Sequence, residues 1–120
     1  MNKIDRILNL ELLYLEGCTA WHQVLENLKQ ALQSEGMALT VSLTQVVGAR
    51  HARALRFRGC PAIRLDGEDI FYERSAKNGL ACRLYSTGEG IRGWPTVRMI
   101  LQRLRALHAF EAPISTGGLA

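Results

Sequence analysis

The sequence predicts one α/β domain: a mixed four-stranded sheet with helices on both faces, in the order β-α-β-α-β-β-α. Three observations predict it. Short β-leaning apolar runs alternate with segments whose apolar residues recur at helical spacing. Glycines mark most of the changeovers between them. Pro61 opens a short apolar run that Asp66-Gly67 closes, a strand entered by a fixed bend and left by a tight turn. At 120 residues, the chain is long enough to bury a real core as one unit.

Leu10 to Glu16 is the first strand, with apolar residues on both faces, as expected for a strand covered by helices on both sides. Gly17 ends it. From Thr19 to Gln33 the residues Trp21, Val24, Leu25, Leu28, Ala31 and Leu32 form one stripe, while His22, Glu26, Lys29 and Gln33 lie opposite. Gly36 stands where a helix C-terminus calls for glycine. Met37 to Val47 is a β-branched strand candidate, and Gly48 separates it from a short Arg-rich helix, Ala49 to Phe57. The Pro61 strand follows, then a polar loop from Glu68 to Asn78, then a strand over Gly79 to Ser86. Trp94-Pro95 opens a last helix with Val97, Ile100, Leu101, Leu104 and Leu107 on its buried side. The first two strands should be parallel through a right-handed crossover and the last two antiparallel. The core spans about residues 10–108, with a frayed Gly- and Ser-rich tail from Pro113.

Composition narrows the class. Hydrophobic residues make up 48% and charged residues 22%, and the formal net charge is +4. This mild basicity suits an anionic ligand, yet the chain lacks the interleaved aromatics and strong charge of a nucleic-acid binder. Asn9 and Glu11 interrupt the apolar stretch Ile7 to Leu15, so it does not read as a signal peptide, and no run approaches membrane-spanning length. Three cysteines form no secreted disulfide framework. A cytoplasmic, reducing setting is the expectation, with the thiols initially reduced. No paired-carboxylate site, phosphate loop, metalloprotease His pair or nucleophile elbow is visible.

The chemistry rests on the cysteines. Cys18 lies at the strand-to-helix junction, where unpaired N–H groups and the helix macrodipole favour negative charge on a nucleophile or soft-metal ligand. The other reading is a small inert hydrophobe. His22, one turn on, is either a solvated helix residue or a proton acceptor on the same side. Cys60, immediately before Pro61, has an extended backbone that can pair with a peptide or with the cysteinyl part of glutathione. Its thiol can face Cys18, to form a disulfide or share a soft metal, or simply pack. Cys82 alternates with Leu80 and Leu84 and reads first as a core residue, with a third ligand or resolving thiol as the alternative. The series Arg50, Arg53, Arg56 and Arg58 reads as a solvated face or as a grip for a carboxylate or phosphate. Trp21 and Trp94 read as core or rim aromatics. Two sulfurs fall short of a structural zinc set.

The element order, with Cys18 at the first strand-to-helix junction and Phe57-Arg58-Gly59-Cys60-Pro61-Ala62-Ile63 leading into the third strand, resembles the thioredoxin-like superfamily over roughly Leu10 to Leu107. Gly17-Cys18, the Pro61 strand, Asp69-Ile70-Phe71 and Gly79-Leu80-Ala81-Cys82-Arg83-Leu84-Tyr85 more narrowly resemble small uncharacterised bacterial thioredoxin-like proteins, some labelled alkylmercury-lyase-like. The resemblance implies that Cys18 is the nucleophile and Pro61 the substrate-contacting cis-proline. It does not carry over a resolving cysteine, because the chain has Cys18-Thr19-Ala20-Trp21 where the family has Cys-x-x-Cys.

The expectation is thiol–disulfide exchange or redox sensing through Cys18, with Cys60 as resolving thiol and Pro61, Trp21, His22 and Arg58 as binding residues. The partner would be a thiol or disulfide protein, or glutathione as a substrate. No cofactor, nucleic acid or membrane is implied. Two alternatives stand beside it: a non-catalytic binding or adaptor domain, and soft-metal or organomercurial binding by Cys18 and Cys60, with Cys82 as a third ligand.

Overall fold

A computed structural model describes residues 9–37, 40–72, 82–107 and 109–110. The tail expected from Pro113 lies outside the described residues, as do the first three residues of the strand expected over Gly79–Ser86. Strand β1 (Leu10–Leu15) leads to helix α1 (Ala20–Ser34), strand β2 (Val41–Val46) and the short helix α2 (Gly48–Ala54). Strands β3 (Ala62–Leu65) and β4 (Glu68–Asp69) follow, then a hairpin of β5 (Tyr85–Thr87) and β6 (Gly90–Arg92), and helix α3 (Val97–Ala106).

The main sheet has the order β2-β1-β3-β4. Strands β1 and β2 are parallel, whereas β3 runs antiparallel to β1 and to β4. The alternation of side chains across β1 and β3 splits the interior into two cores. Leu10, Leu12, Ile63 and Leu65 pack with Val24, Leu28, Ala31 and Leu32 of α1 and Ile100 and Leu104 of α3. On the opposite face Leu13 and Ala62 pack with Val46, Cys60, Phe57 and Ala52 of α2. The domain is therefore an α/β fold whose mixed four-stranded sheet is covered on both faces.

The fourth strand is not where the sequence placed it. Asp66 and Gly67 take φ of 53° and 85°, the left-handed pair that a two-residue hairpin turn needs. The chain therefore doubles back at once, pairing Leu65 with Glu68 and Arg64 with Asp69. Glu68 and Asp69 are sheet edge rather than loop, and Tyr85–Thr87 pairs with β6 in a separate two-stranded sheet.

Helix α1 closes with the Gly36 N–H on the Gln33 carbonyl and the Met37 N–H on the Leu32 carbonyl, a Schellman arrangement. Helix α2 closes the same way, with Arg56 N–H on Arg53 and Phe57 N–H on Ala52, three residues before the expected end at Phe57. There the left-handed position is occupied by Arg56, at φ 55°. Helix α3 begins with Thr96 as its cap, the side chain accepting from the Met99 N–H at 3.1 Å. Its expected stripe holds through Leu104, while Leu107 is exposed. Asn27 is the one polar residue among those buried in the described chain. Its Nδ2 donates to the Pro95 carbonyl at 2.8 Å and its Oδ1 accepts from Gln23 at 2.9 Å, tying α1 to the turn that opens α3.

Two outcomes follow from these contacts. Arg56→Gly should stabilise the chain by about 0.5–1 kcal/mol, because a left-handed non-glycine residue costs roughly 1–2 kcal/mol and glycine's greater unfolded freedom returns part of it. Asn27→Ala should cost about 1–3 kcal/mol by leaving a buried carbonyl unpaired. Urea unfolding midpoints at constant slope check both; a loss on Arg56→Gly would mean that the arginine side chain outweighs the backbone strain.

Candidate functional site

The antiparallel register of β1 and β3 builds the site. Leu10 lies opposite Leu65 and Leu13 opposite Ala62, so two further steps set Leu15 beside Cys60. The contact is direct: the Leu15 N–H donates to Cys60 Sγ at 3.3 Å. Beyond Leu15 the chain turns at once, the Cys18 N–H closing on the Leu15 carbonyl at 3.1 Å. Cys18 thus hangs over the end of β1 and packs against the second core, where Cys60 lies at 1% exposure. On the other side, Gly59 at φ 114° makes a bend that a side chain would strain, and the Cys60–Pro61 peptide is cis.

The two thiols meet. The Cys60 side chain interacts with that of Cys18, and its sulfur accepts from the Leu15 N–H. Burial, the largest cause, and then the bond to Cys18 push the Cys60 thiol up from 9.0 to about 12. The Leu15 N–H opposes this, while charge on Cys18 and on Cys82 adds to it. At neutral pH Cys60 is a thiol holding its proton. Cys18 is half-buried and unoxidised, as are the buried Cys60 and the exposed Cys82.

Cys82 departs from expectation. It was read first as a core residue, yet it is exposed, as is Leu84 at 67%. The alternation that predicted burial assumed a strand in the main sheet, whereas Cys82 makes only an isolated parallel bridge to Cys60. The same bridge corrects the expectation that the Cys60 backbone awaits a partner. Its carbonyl already accepts from the Arg83 N–H at 2.8 Å.

The other site candidates divide. Pro61 is buried, and its carbonyl accepts from the Tyr85 hydroxyl at 2.7 Å. The Trp21 ring stacks on Tyr14 with centroids 4.6 Å apart and on the exposed His22 ring at 3.8 Å, an aromatic pile one turn beyond Cys18. Arg58 lies over the Tyr72 ring at 4.4 Å, in a pocket of about 140 Å³ that it lines with Arg56, Arg64 and Asp69 and that no cysteine lines. An open groove of about 300 Å³ lies outside the carboxyl ends of β1 and β2, between Leu15, Glu16 and Val47. It adjoins the thiol pair through Leu15. Among the described residues no group of three or more His, Cys, Asp or Glu side chains is placed to hold a metal ion, so Cys82 does not complete a three-ligand set. No described helix is long and apolar enough to cross a membrane.

Sequence reasoning missed Arg83, whose guanidinium meets Asp69 at 2.6 Å with both side chains about nine-tenths buried and also donates to the Phe71 carbonyl. The available signal was a lone arginine inside an apolar run. Comparison with protein families, with curated proteins and with solved structures finds no match for this chain.

The raised Cys60 thiol gives a pH dependence with a definite sign. Between 9.0, where the unfolded thiol ionises, and about 12, the folded state binds more protons than the unfolded one. The contribution is therefore fully present below 9.0 and is lost as pH rises toward 12, at up to about 1.4 kcal/mol for each pH unit. Wild-type stability should fall more steeply across this window than that of Cys60→Ala. Parallel slopes in denaturant titrations at pH 8, 9.5 and 11 would contradict the assignment.

Proposed function

We propose that this chain is a thioredoxin-like thiol protein that carries out thiol–disulfide exchange, with Cys18 as the attacking sulfur and Cys60 as the resolving one. Three features support the family reading: the strand order β2-β1-β3-β4 with only its first pair parallel, a cysteine between β1 and α1, and the cis Cys60–Pro61 bond ahead of β3. The observation that carries the function is the interaction between the Cys60 and Cys18 side chains. It sets two thiols that lie 42 positions apart in the sequence beside one another without a Cys-x-x-Cys.

Their inequality assigns the roles. Cys18 is the more exposed of the two sulfurs and so the one an external disulfide can reach, whereas the buried Cys60 holds its proton. The Cys18 thiolate attacks a disulfide such as oxidised glutathione, forming a mixed disulfide and expelling one glutathione thiolate. Cys60 then attacks the Cys18 sulfur, its proton passing to the departing second thiolate. Two reduced glutathiones and one Cys18–Cys60 disulfide result, so electrons balance. Held as a thiol until that moment, Cys60 does not compete for the incoming substrate.

The test uses the Cys82→Ser background, which isolates the pair. Oxidised glutathione should convert this variant to an intramolecular Cys18–Cys60 disulfide with no retained adduct, whereas adding Cys60→Ser should trap one glutathionyl group on Cys18. Intact mass and peptide mapping read both. Two thiols left free in Cys82→Ser, or equal glutathionylation with and without Cys60, would make the chain a non-catalytic binding domain.

A further inference from the structure

Strand β3 has an edge problem at its first residues. On the side away from β1, β4 pairs only with Arg64 and Leu65, and the Ile70 N–H adds a bond to the Ile63 carbonyl. Nothing in β4 reaches Cys60 or Pro61, so their carbonyls would face open water or a visiting chain. The segment Cys82–Tyr85 occupies that edge. Cys82 bridges Cys60 in parallel, the Arg83 N–H bonds the Cys60 carbonyl, and the Tyr85 hydroxyl bonds the Pro61 carbonyl. The Arg83–Asp69 ion pair and the bond to Phe71 fasten the segment from the other side.

This places a third sulfur beside the pair. Residues bridged across neighbouring strands are about 4.8 Å apart, within the roughly 4.4–6.8 Å between Cα atoms that a disulfide spans. Bridged residues also project to the same face of a sheet. Cys82 is exposed where Cys60 is buried, so the bridge joins an inner sulfur to an outer one. From this juxtaposition we propose that Cys82 is the third thiol of the site: it takes over the disulfide from Cys18 by bonding to Cys60, carrying the oxidising equivalent to the surface. The proposal rests on the exchange reading above.

The step is an internal exchange that needs no further oxidant. The Cys82 thiolate attacks Cys60 Sγ of the Cys18–Cys60 disulfide, that bond breaks as the Cys60–Cys82 bond forms, and Cys18 leaves as a thiolate that solvent protonates. Attack on Cys60 is favoured over attack on Cys18, because the Cys60 sulfur, which holds its proton to about 12, is the poorer leaving group. Burial closes Cys60 to external thiols but not to its neighbour in the sheet. Cys18 is thereby freed for a second attack, while the new disulfide lies where an external thiol can reduce it.

Disulfide mapping after oxidation with one equivalent of diamide tests this. Cys18→Ser, with Cys18→Ala as a second variant, should form an intramolecular Cys60–Cys82 disulfide and stay monomeric. Wild type should yield both the Cys18–Cys60 and the Cys60–Cys82 bonds. The proposal falls if either Cys18 variant that retains the native circular dichroism spectrum keeps two free thiols or forms only intermolecular dimers. It also falls if wild type yields Cys18–Cys60 alone. If Cys82→Ser forms Cys18–Cys60, such a failure overturns the relay only; if Cys82→Ser does not, the exchange reading fails and takes the relay with it.

Discussion

The antiparallel pairing of β1 with β3 is the constraint on which the rest depends. Side chains along a strand alternate between faces, so a slip of one residue would exchange the two cores, turning Leu13 and Ala62 away from α2. The same register sets Leu15 beside Cys60, and the Leu15 N–H, the Cys18 turn and the Cys60 thiol all gather there. The core and the candidate site are therefore specified by one set of pairings. Apolar burial fixes the register: Leu10, Leu12, Leu13, Ala62 and Ile63 are each no more than 1% exposed. At about 25 cal/mol for each Å² of apolar surface removed from water, burying one such leucine or isoleucine is worth about 1.5–3 kcal/mol. That far exceeds a single sulfur hydrogen bond, so the thiol contact is a consequence of the packing rather than its cause.

Within that frame the two meeting sulfurs differ in kind. Cys60 is enclosed by the second core and made to keep its proton; Cys18 sits on an exposed turn whose helix has no side-chain cap and no acidic residue in its first turn. Desolvation acts against charge on Cys60, so the buried sulfur keeps its proton while the other lies nearer the surface. A pair built this way is unequal in access as well as in burial.

Much of this was legible in the sequence, because hydrophobic period reports burial. The two-sided apolar run of β1, the stripes of α1 and α3, the Asp66-Gly67 turn and the thiols at Gly17-Cys18 and Cys60-Pro61 could be read directly. Asn27 was legible in principle, since it stands three residues from Val24 and four from Ala31 on the buried side of α1, but its polarity hid it. Strand β4 was not, because two residues carry no period and only the turn geometry dictates them. Cys82 was misread because alternation with Leu80 and Leu84 implies burial only if the strand belongs to a covered sheet. Arg56 at a left-handed helix end gives no signal, since glycine is the residue expected there.

Taking the second sulfur from a strand rather than from the next turn of the helix changes what can move. In a Cys-x-x-Cys both sulfurs share one helix turn. Here Cys60 is held by β3, by the Leu15 N–H and by the Arg83 N–H on its carbonyl, and displacing it would break all three together. Residues Glu16 to Thr19 are held less firmly: the Cys18 N–H bonds the Leu15 carbonyl, but Glu16, Gly17 and Thr19 are exposed, and Gly17, at φ 87°, has open space where a side chain would lie. Bonding the pair, as the proposed exchange requires, would draw on the exposed turn that carries Cys18 before the sheet that holds Cys60. A site so divided is firmest where burial sets the acidity of the Cys60 thiol and more open where Cys18 lies, which is the division of labour that the proposed exchange calls for in a chain without a second helical cysteine.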